Sequence, residues 1–268
     1  MTGLELLLLV IMGAFVGLAG GYAGIGGAPF LVAGLVLLLD YTQHDAQGTV
    51  LAVMLAPMSL PGVLVMRDRA RLLLPEITIG VLAYALCSNV GARIAFSMET
   101  AWLQASFGLL LTGLGVRYLL RKSGPPPIEP NPTGPTVGEG ALPFSRRNVT
   151  LISAAIGIVG GLFGIGAGVL MVPLFIGLFH LHKDDARALS LSILLPPVSV
   201  GAVLEYEQHG AIDWWVSGII FALYFLTNHY GARLGRAHST PTFLTIMGLL
   251  LGFLGVVILG TSLPDLLG

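Results

Sequence analysis

The chain is 268 residues long, 55% hydrophobic and only 10% charged, with a mean hydropathy of +0.88. Soluble domains carry roughly 25% charged residues, so this chain has too few to cover a surface in water, and a cytosolic enzyme is excluded. The 13 basic and 14 acidic side chains nearly cancel, which removes the field that nucleic-acid binding needs. A bilayer is the solvent that fits.

Ten apolar runs follow one another, at 4–22, 28–39, 48–65, 75–96 and 101–120, then 149–163, 168–181, 188–204, 212–232 and 242–260. The first has Glu5 where a signal peptide carries basic residues and continues past signal-peptide length, so it is expected to be retained as a membrane segment. A spanning helix needs roughly 20 residues, and the second and seventh runs fall short of that. Between the fifth and sixth lies a stretch with Pro125, Pro126, Pro127, Pro130, Pro132, Pro135 and Pro143, the composition of a solvated, extended linker. The expected division is residues 1–120, a linker at 121–147, and residues 148–268. The single cysteine, Cys87, permits no internal disulfide and no thiolate metal cluster.

An ungapped internal repeat relates the two halves at an offset of 140 residues. Gly20, Gly21, Gly24, Ile25 and Gly26 return as Gly160, Gly161, Gly164, Ile165 and Gly166. Asp45-Ala46 returns as Asp185-Ala186, Pro57 and Ser59 as Pro197 and Ser199, Tyr84 as Tyr224, and Gly91-Ala92-Arg93 as Gly231-Ala232-Arg233. Each copy holds five runs, and an odd number of crossings turns one copy over relative to the other. The fold class expected is therefore an all-α polytopic membrane protein made of two inverted-topology repeats of about five helical segments each, with Gly-broken short helices near the midplane.

Charge agrees with that. Arg67, Arg69 and Arg71 share one loop, Arg117, Arg121, Lys122, Arg146 and Arg147 flank the linker, Lys183 and Arg187 follow run seven, and Arg233 and Arg236 follow run nine. If these loops are cytoplasmic, 12 of the 13 basic residues are inside and only Arg93 is not. Both termini are then external.

Inverted repeats mark transporters whose site lies at the repeat interface, where apolar segments are broken in equivalent positions. The first such pair is glycine-rich: Gly24, Gly26 and Gly27 in one copy, Gly164, Gly166 and Gly168 in the other, each ahead of a short helix. Glycine lets backbone N–H groups approach a ligand, and helix N-termini attract anions; close helix packing is the competing role for such glycines. The second pair is Pro57 and Pro61 with Pro196 and Pro197, where Ser59 and Ser199 offer hydroxyls either to a ligand or back to the backbone. Arg93 and Arg233 are symmetric cations near opposite membrane boundaries, placed to guard the mouths of an anion path or to snorkel as anchors. Asn89 and Asn228, one turn earlier, would continue the path, whereas His229 reads as a packing residue. His180, His182, Asp184 and Asp185 read as a solvated charged turn, with Asp45 and Asp185 capping the helices that follow. Neither lysine, Lys122 or Lys183, follows a glycine, so there is no ATP-binding P-loop. No cofactor or metal is expected.

The doubled Gly-rich turn, the Gly-Ala-Arg pair and the Pro-Ser pair together resemble the TauE/SafE family of membrane permeases over residues 4–260. The family tends to follow its Gly-rich stretch with Val-Pro; Val172-Pro173 fits, and the first copy reads Val32-Ala33. The resemblance implies a bacterial inner-membrane secondary transporter exporting sulfite, sulfoacetate or a related organosulfonate, with a proton as candidate coupling ion. A carrier of another small anion such as a carboxylate, or a cation carrier or channel, is the alternative reading.

Overall fold

The computed structural model describes residues 3–23, 27–120, 146–166, 168–178, 181, 183–237 and 240–267. Every regular element among them is an α-helix: α1 (Gly3–Ala23), α2 (Ala28–Leu39), α3 (Gln43–Val53), α4 (Leu60–Val65), α5 (Arg67–Leu72), α6 (Leu74–Phe96), α7 (Thr100–Leu120), α8 (Arg146–Phe163), α9 (Gly168–Leu178), α10 (Lys183–Ile193), α11 (Val200–Gln208), α12 (Trp214–Ala237) and α13 (Thr240–Leu267). Gly3–Tyr22, Leu74–Phe96 and Thr100–Leu120 are long and apolar enough to cross a membrane. Their outer faces are apolar too: Leu86 is 76% exposed on α6 and Leu109 66% exposed on α7, surfaces that only a lipid-like solvent covers without loss.

Two of the expected single segments are divided. The run 48–65 is α3, a turn at 54–59 and α4, and the run 188–204 is α10, a turn at 194–199 and α11. Proline supplies no N–H and clashes with the preceding turn, so each helix stops before Pro57 or Pro196 and the chain closes tight turns instead. Met58 N donates to Ala56 O at 2.7 Å and Leu60 N to Pro57 O at 3.0 Å; Val198 N donates to Pro196 O at 2.7 Å and Val200 N to Pro197 O at 3.2 Å. The first half has one further element, α5, carrying Arg67, Arg69 and Arg71. At the start of α3 the cap is Thr42, not Asp45. Thr42 Oγ1 accepts from Asp45 N at 3.2 Å and donates to Asp45 Oδ2 at 2.7 Å, a reciprocal arrangement that satisfies the helix's first turn.

Three long pairings hold the molecule together, and small residues set how closely they approach. Along α1, Gly13, Gly17 and Gly21 face Leu223, Tyr224 and Asn228 of α12 in rising order, so these helices run parallel. The same register joins α8 to α6: Gly157 faces Tyr84, and Gly161 faces Ser88 and Ala92. A methyl group on Gly17, Gly21, Gly157 or Gly161 would meet neighbouring backbone atoms, so these glycines serve the backbone-to-backbone packing that membrane helices favour. Gly108 faces Gly255 and Gly115 faces Gly248, so α7 and α13, which correspond at the 140-residue offset, run antiparallel. Gly113, also in α7, has nothing near it and is exposed.

Polar contacts gather at the two ends. At one, Tyr41 Oη donates to Asp213 Oδ2 at 2.9 Å, Gln104 Nε2 reaches Thr261 Oγ1 at 3.2 Å, and the rings of His44 and His209 stack on Phe96 at 4.9 and 3.8 Å. Burial, and then the hydrogen bond and charge of Asp213, push the Tyr41 phenol well above its usual range, which keeps it the donor. All three tryptophans, Trp102, Trp214 and Trp215, stand exposed at this end, the placement of an interfacial aromatic belt. At the other end Arg69 Nη1 pairs with Asp185 Oδ1 at 2.8 Å, tying α5 to α10.

Candidate functional site

The two Pro-broken segments meet. Ser59, which follows the first break, donates to Leu191 O at 2.9 Å, and Ser199, which follows the second, donates to Leu51 O at 2.9 Å. Leu51 and Leu191 lie in the last turns of α3 and α10, where intrahelical partners for carbonyls run out. Each broken helix thus receives a hydrogen bond from the other half, at Leu51 O in addition to the one from Met54 N at 3.1 Å, and both serines are fully buried.

The Gly-rich turn of the second half sits beside this crossing. Gly164 and Gly166 have φ of 65° and 67°, and Gly27, just before α2, has φ of 68°; that left-handed region strains any residue with a Cβ. A Cβ on Gly166 would lie 2.6 Å from Met54 Cε and 3.5 Å from Leu194 Cδ2, the residues at which the two helices break. Gly164 lies against the backbone of Gln47, and Gly168 opens α9 from a buried position. Gly27 lies against Val16 and Tyr224. Gly24 and Gly26 fall outside the described residues, as do His180 and His182.

The remaining sequence candidates divide. Asn228 is buried, its Nδ2 donates to Tyr224 Oη at 3.0 Å, and its Oδ1 lies beside Gly62. Asn89 is half-buried and donates to Gly201 O at 2.7 Å, joining α6 to α11. Arg93 and Arg233 are not brought to the crossing. Both are exposed, and Arg93 Nε lies 3.4 Å from Glu205 Oε2 with its own side chain 70% exposed.

Several residues that the sequence did not single out are buried here. Arg187 is only 1% exposed, within α10; its Nη2 donates to Gly21 O at 3.0 Å and Ala232 O at 3.4 Å, and its Nη1 lies 3.3 Å from Asp184 Oδ1. Together with Asp185, 3% exposed and paired to Arg69, it corrects the expectation of a solvated charged turn for these two residues. The cause is the C-terminus of α1: its terminal carbonyls have no intrahelical donors, and a cation satisfies them best. At the equivalent place in the other half the carbonyl is that of Gly161, and Tyr206 Oη lies 3.4 Å from it while donating to Gln47 Oε1 at 2.7 Å. Gln47 and Arg187 are mates at the 140-residue offset, as are Gln43 and Lys183. Their four-residue spacing is visible in the sequence, but the residues between and beside them are polar and charged too, so it does not mark them.

A family model described as the sulfite exporter TauE/SafE matches residues 8–258. The chain belongs to the TauE/SafE family. It is therefore a membrane transporter by family, and curated relatives agree across nearly its full length. The probable membrane transporter protein YunE of Bacillus subtilis is 25% identical over 94% of this chain and 96% of its own. A probable membrane transporter protein of Methanocaldococcus jannaschii is 26% identical over 94% of each chain, and one of Xylella fastidiosa is 27% identical over 81% of this chain and 80% of its own. No solved structure matches the chain.

Proposed function

We propose that this TauE/SafE transporter is a secondary carrier that exports a small sulfur-containing anion, such as sulfite, sulfoacetate or a related organosulfonate, by alternating access between two inverted copies. The observation that carries the reading is the reciprocal pair of serine bonds at the crossing of the Pro-broken helices, beside the left-handed turn at Gly166. Discontinuous helices that meet at a repeat interface are where carriers hold substrate. Inversion of the copies is supported by the antiparallel run of α7 against its mate α13. In this reading Gly24, Gly26, Gly27, Gly164, Gly166 and Gly168 present backbone N–H groups to the anion, and Ser59, Ser199, Asn89 and Asn228 shape the path. Arg93 and Arg233 act at its two mouths, as their exposure allows. The basic loops and the 121–147 linker face the cytoplasm of a bacterial inner membrane, both termini face outward, and a proton is the coupling ion.

The test is flux through the purified protein in liposomes, with sulfite, sulfate, sulfoacetate, lactate and sodium offered with and without a pH gradient. Saturable flux confined to sulfite or sulfonates is expected, accelerated by a proton gradient, and reduced in Gly166→Leu without loss of membrane insertion. Selective sodium flux, or lactate flux without sulfite, overturns the substrate class.

A further inference from the structure

Gln43 and Gln47 lie one helical turn apart on one face of α3 and are 1% and 0% exposed. Gln47 Oε1 accepts from Tyr206 Oη at 2.7 Å, which turns its Nε2 away from that bond. Nε2 of Gln47, and both Nε2 and Oε1 of Gln43, are buried without a hydrogen-bond partner. Buried polar atoms are almost always satisfied, and leaving three amide atoms of one helix face unpaired is costly. Gly164 of the other half, one of the left-handed glycines, packs on the backbone of Gln47, so the open amides stand on a helix next to that turn.

We propose that Gln43 and Gln47 form a binding subsite for a small monoanionic oxyanion that itself carries a hydrogen-bond donor; the assignment rests on the anion-carrier reading above. The amide inventory sets the ligand. The two Nε2 groups supply up to four N–H donors for oxyanion oxygens, while Gln43 Oε1 requires a donor from the ligand. The charge is set by the surroundings: both amides are neutral, Asp45 stands in the same first turn of α3, and Arg93 is exposed and paired with Glu205. Neutral donors accommodate one buried negative charge at much lower cost than two. Monoprotonated oxyanions and hydroxyl- or ammonium-bearing sulfonates satisfy both conditions; sulfate satisfies neither. The mates of these residues, Lys183 and Arg187, are basic, so the corresponding position in the other half does not duplicate the subsite.

A matched pair of probes tests this on the full chain in detergent, by calorimetry and by thermal shift: isethionate, which has a hydroxyl, and ethanesulfonate, which lacks it. The wild type is expected to bind isethionate at least about tenfold more tightly, as sites built around a ligand hydroxyl do. Gln43→Met should level the two while melting no lower than the wild type, because it removes an unpaired buried amide at nearly constant volume. Gln47→Glu keeps an acceptor for Tyr206 and loses both N–H donors, and should weaken both probes about tenfold. Variants that bind both probes as the wild type does, or a Gln43→Met protein that unfolds well below it, overturn the subsite and leave only ordered water there. If the wild type binds and transports sulfonates while the variants are unaffected, this inference alone falls; if the wild type binds neither probe nor sulfite, the anion reading falls with it.

Discussion

The two halves of the molecule share one set of residues and differ in another. Glycines at 17 and 157 and at 21 and 161, the serines at 59 and 199, and the tyrosines at 84 and 224 occupy equivalent positions and make equivalent contacts. Where the first half has Gln43, Gln47 and Ser88, the second has Lys183, Arg187 and Asn228, and α5 has no counterpart helix after α11. The shared set fixes backbone separation and joins the two broken helices. Of the divergent set, Gln47 lies against Gly164 and Arg187 against the end of α1 at Gly21, so a common frame carries different chemistry in its two halves.

The comparison breaks most readily at the packing glycines. Gly21→Val and Gly161→Val each drive a side chain into backbone, of Asn228 and Ser88 respectively, and each is expected to lower stability by at least about 3 kcal/mol, to similar extents. Thermal unfolding of the purified proteins measures this; a well-tolerated substitution at one site alone would end the equivalence of the two pairings. Arg187→Gln makes the second half resemble the first. With the buried guanidinium gone, the Gly21 and Ala232 carbonyls lose their donor and Asp184 its ion pair, for an expected loss of about 2–3 kcal/mol in the same assay. A silent Arg187→Gln would show that the first half's amide serves equally well there.

Smaller effects sharpen the frame. Ser59→Ala and Ser199→Ala each remove one buried hydrogen bond of 2.9 Å and should each cost about 1 kcal/mol, equal within a few tenths; unequal values in denaturant titrations would mean that the two breaks are not equivalent. Arg93→Ala removes an exposed pair with Glu205 and should change stability by no more than about 0.5 kcal/mol. Any effect it has belongs in transport kinetics, at low salt above all.

The 140-residue repeat made much of this architecture legible. Matching glycines, prolines and serines are read directly from the chain, and the glycines at 27, 164 and 166 lie where strained turns occur. The breaks at Pro57 and Pro197 were visible as prolines in apolar runs, although hydrophobic continuity concealed that each splits a helix in two. Arg187 was hidden for a different reason. Its neighbours Lys183, Asp184 and Asp185 have the composition of a solvated turn, and nothing local records that the end of α1, over 160 positions earlier in the chain, needs a donor. Gln43 and Gln47 were hidden because amides carry no charge, and only burial makes their unpaired atoms conspicuous.

Sidedness tests the inverted arrangement most directly. Asp68 and Gln208 are both exposed, one at the start of α5 and the other at the end of α11. Single cysteines at these two positions in a Cys87→Ser background, labelled in intact cells with a membrane-impermeant maleimide, should react at Gln208→Cys and at Asp68→Cys only after the membrane is opened. Labelling of both from the same side would contradict the inverted pairing of the two copies.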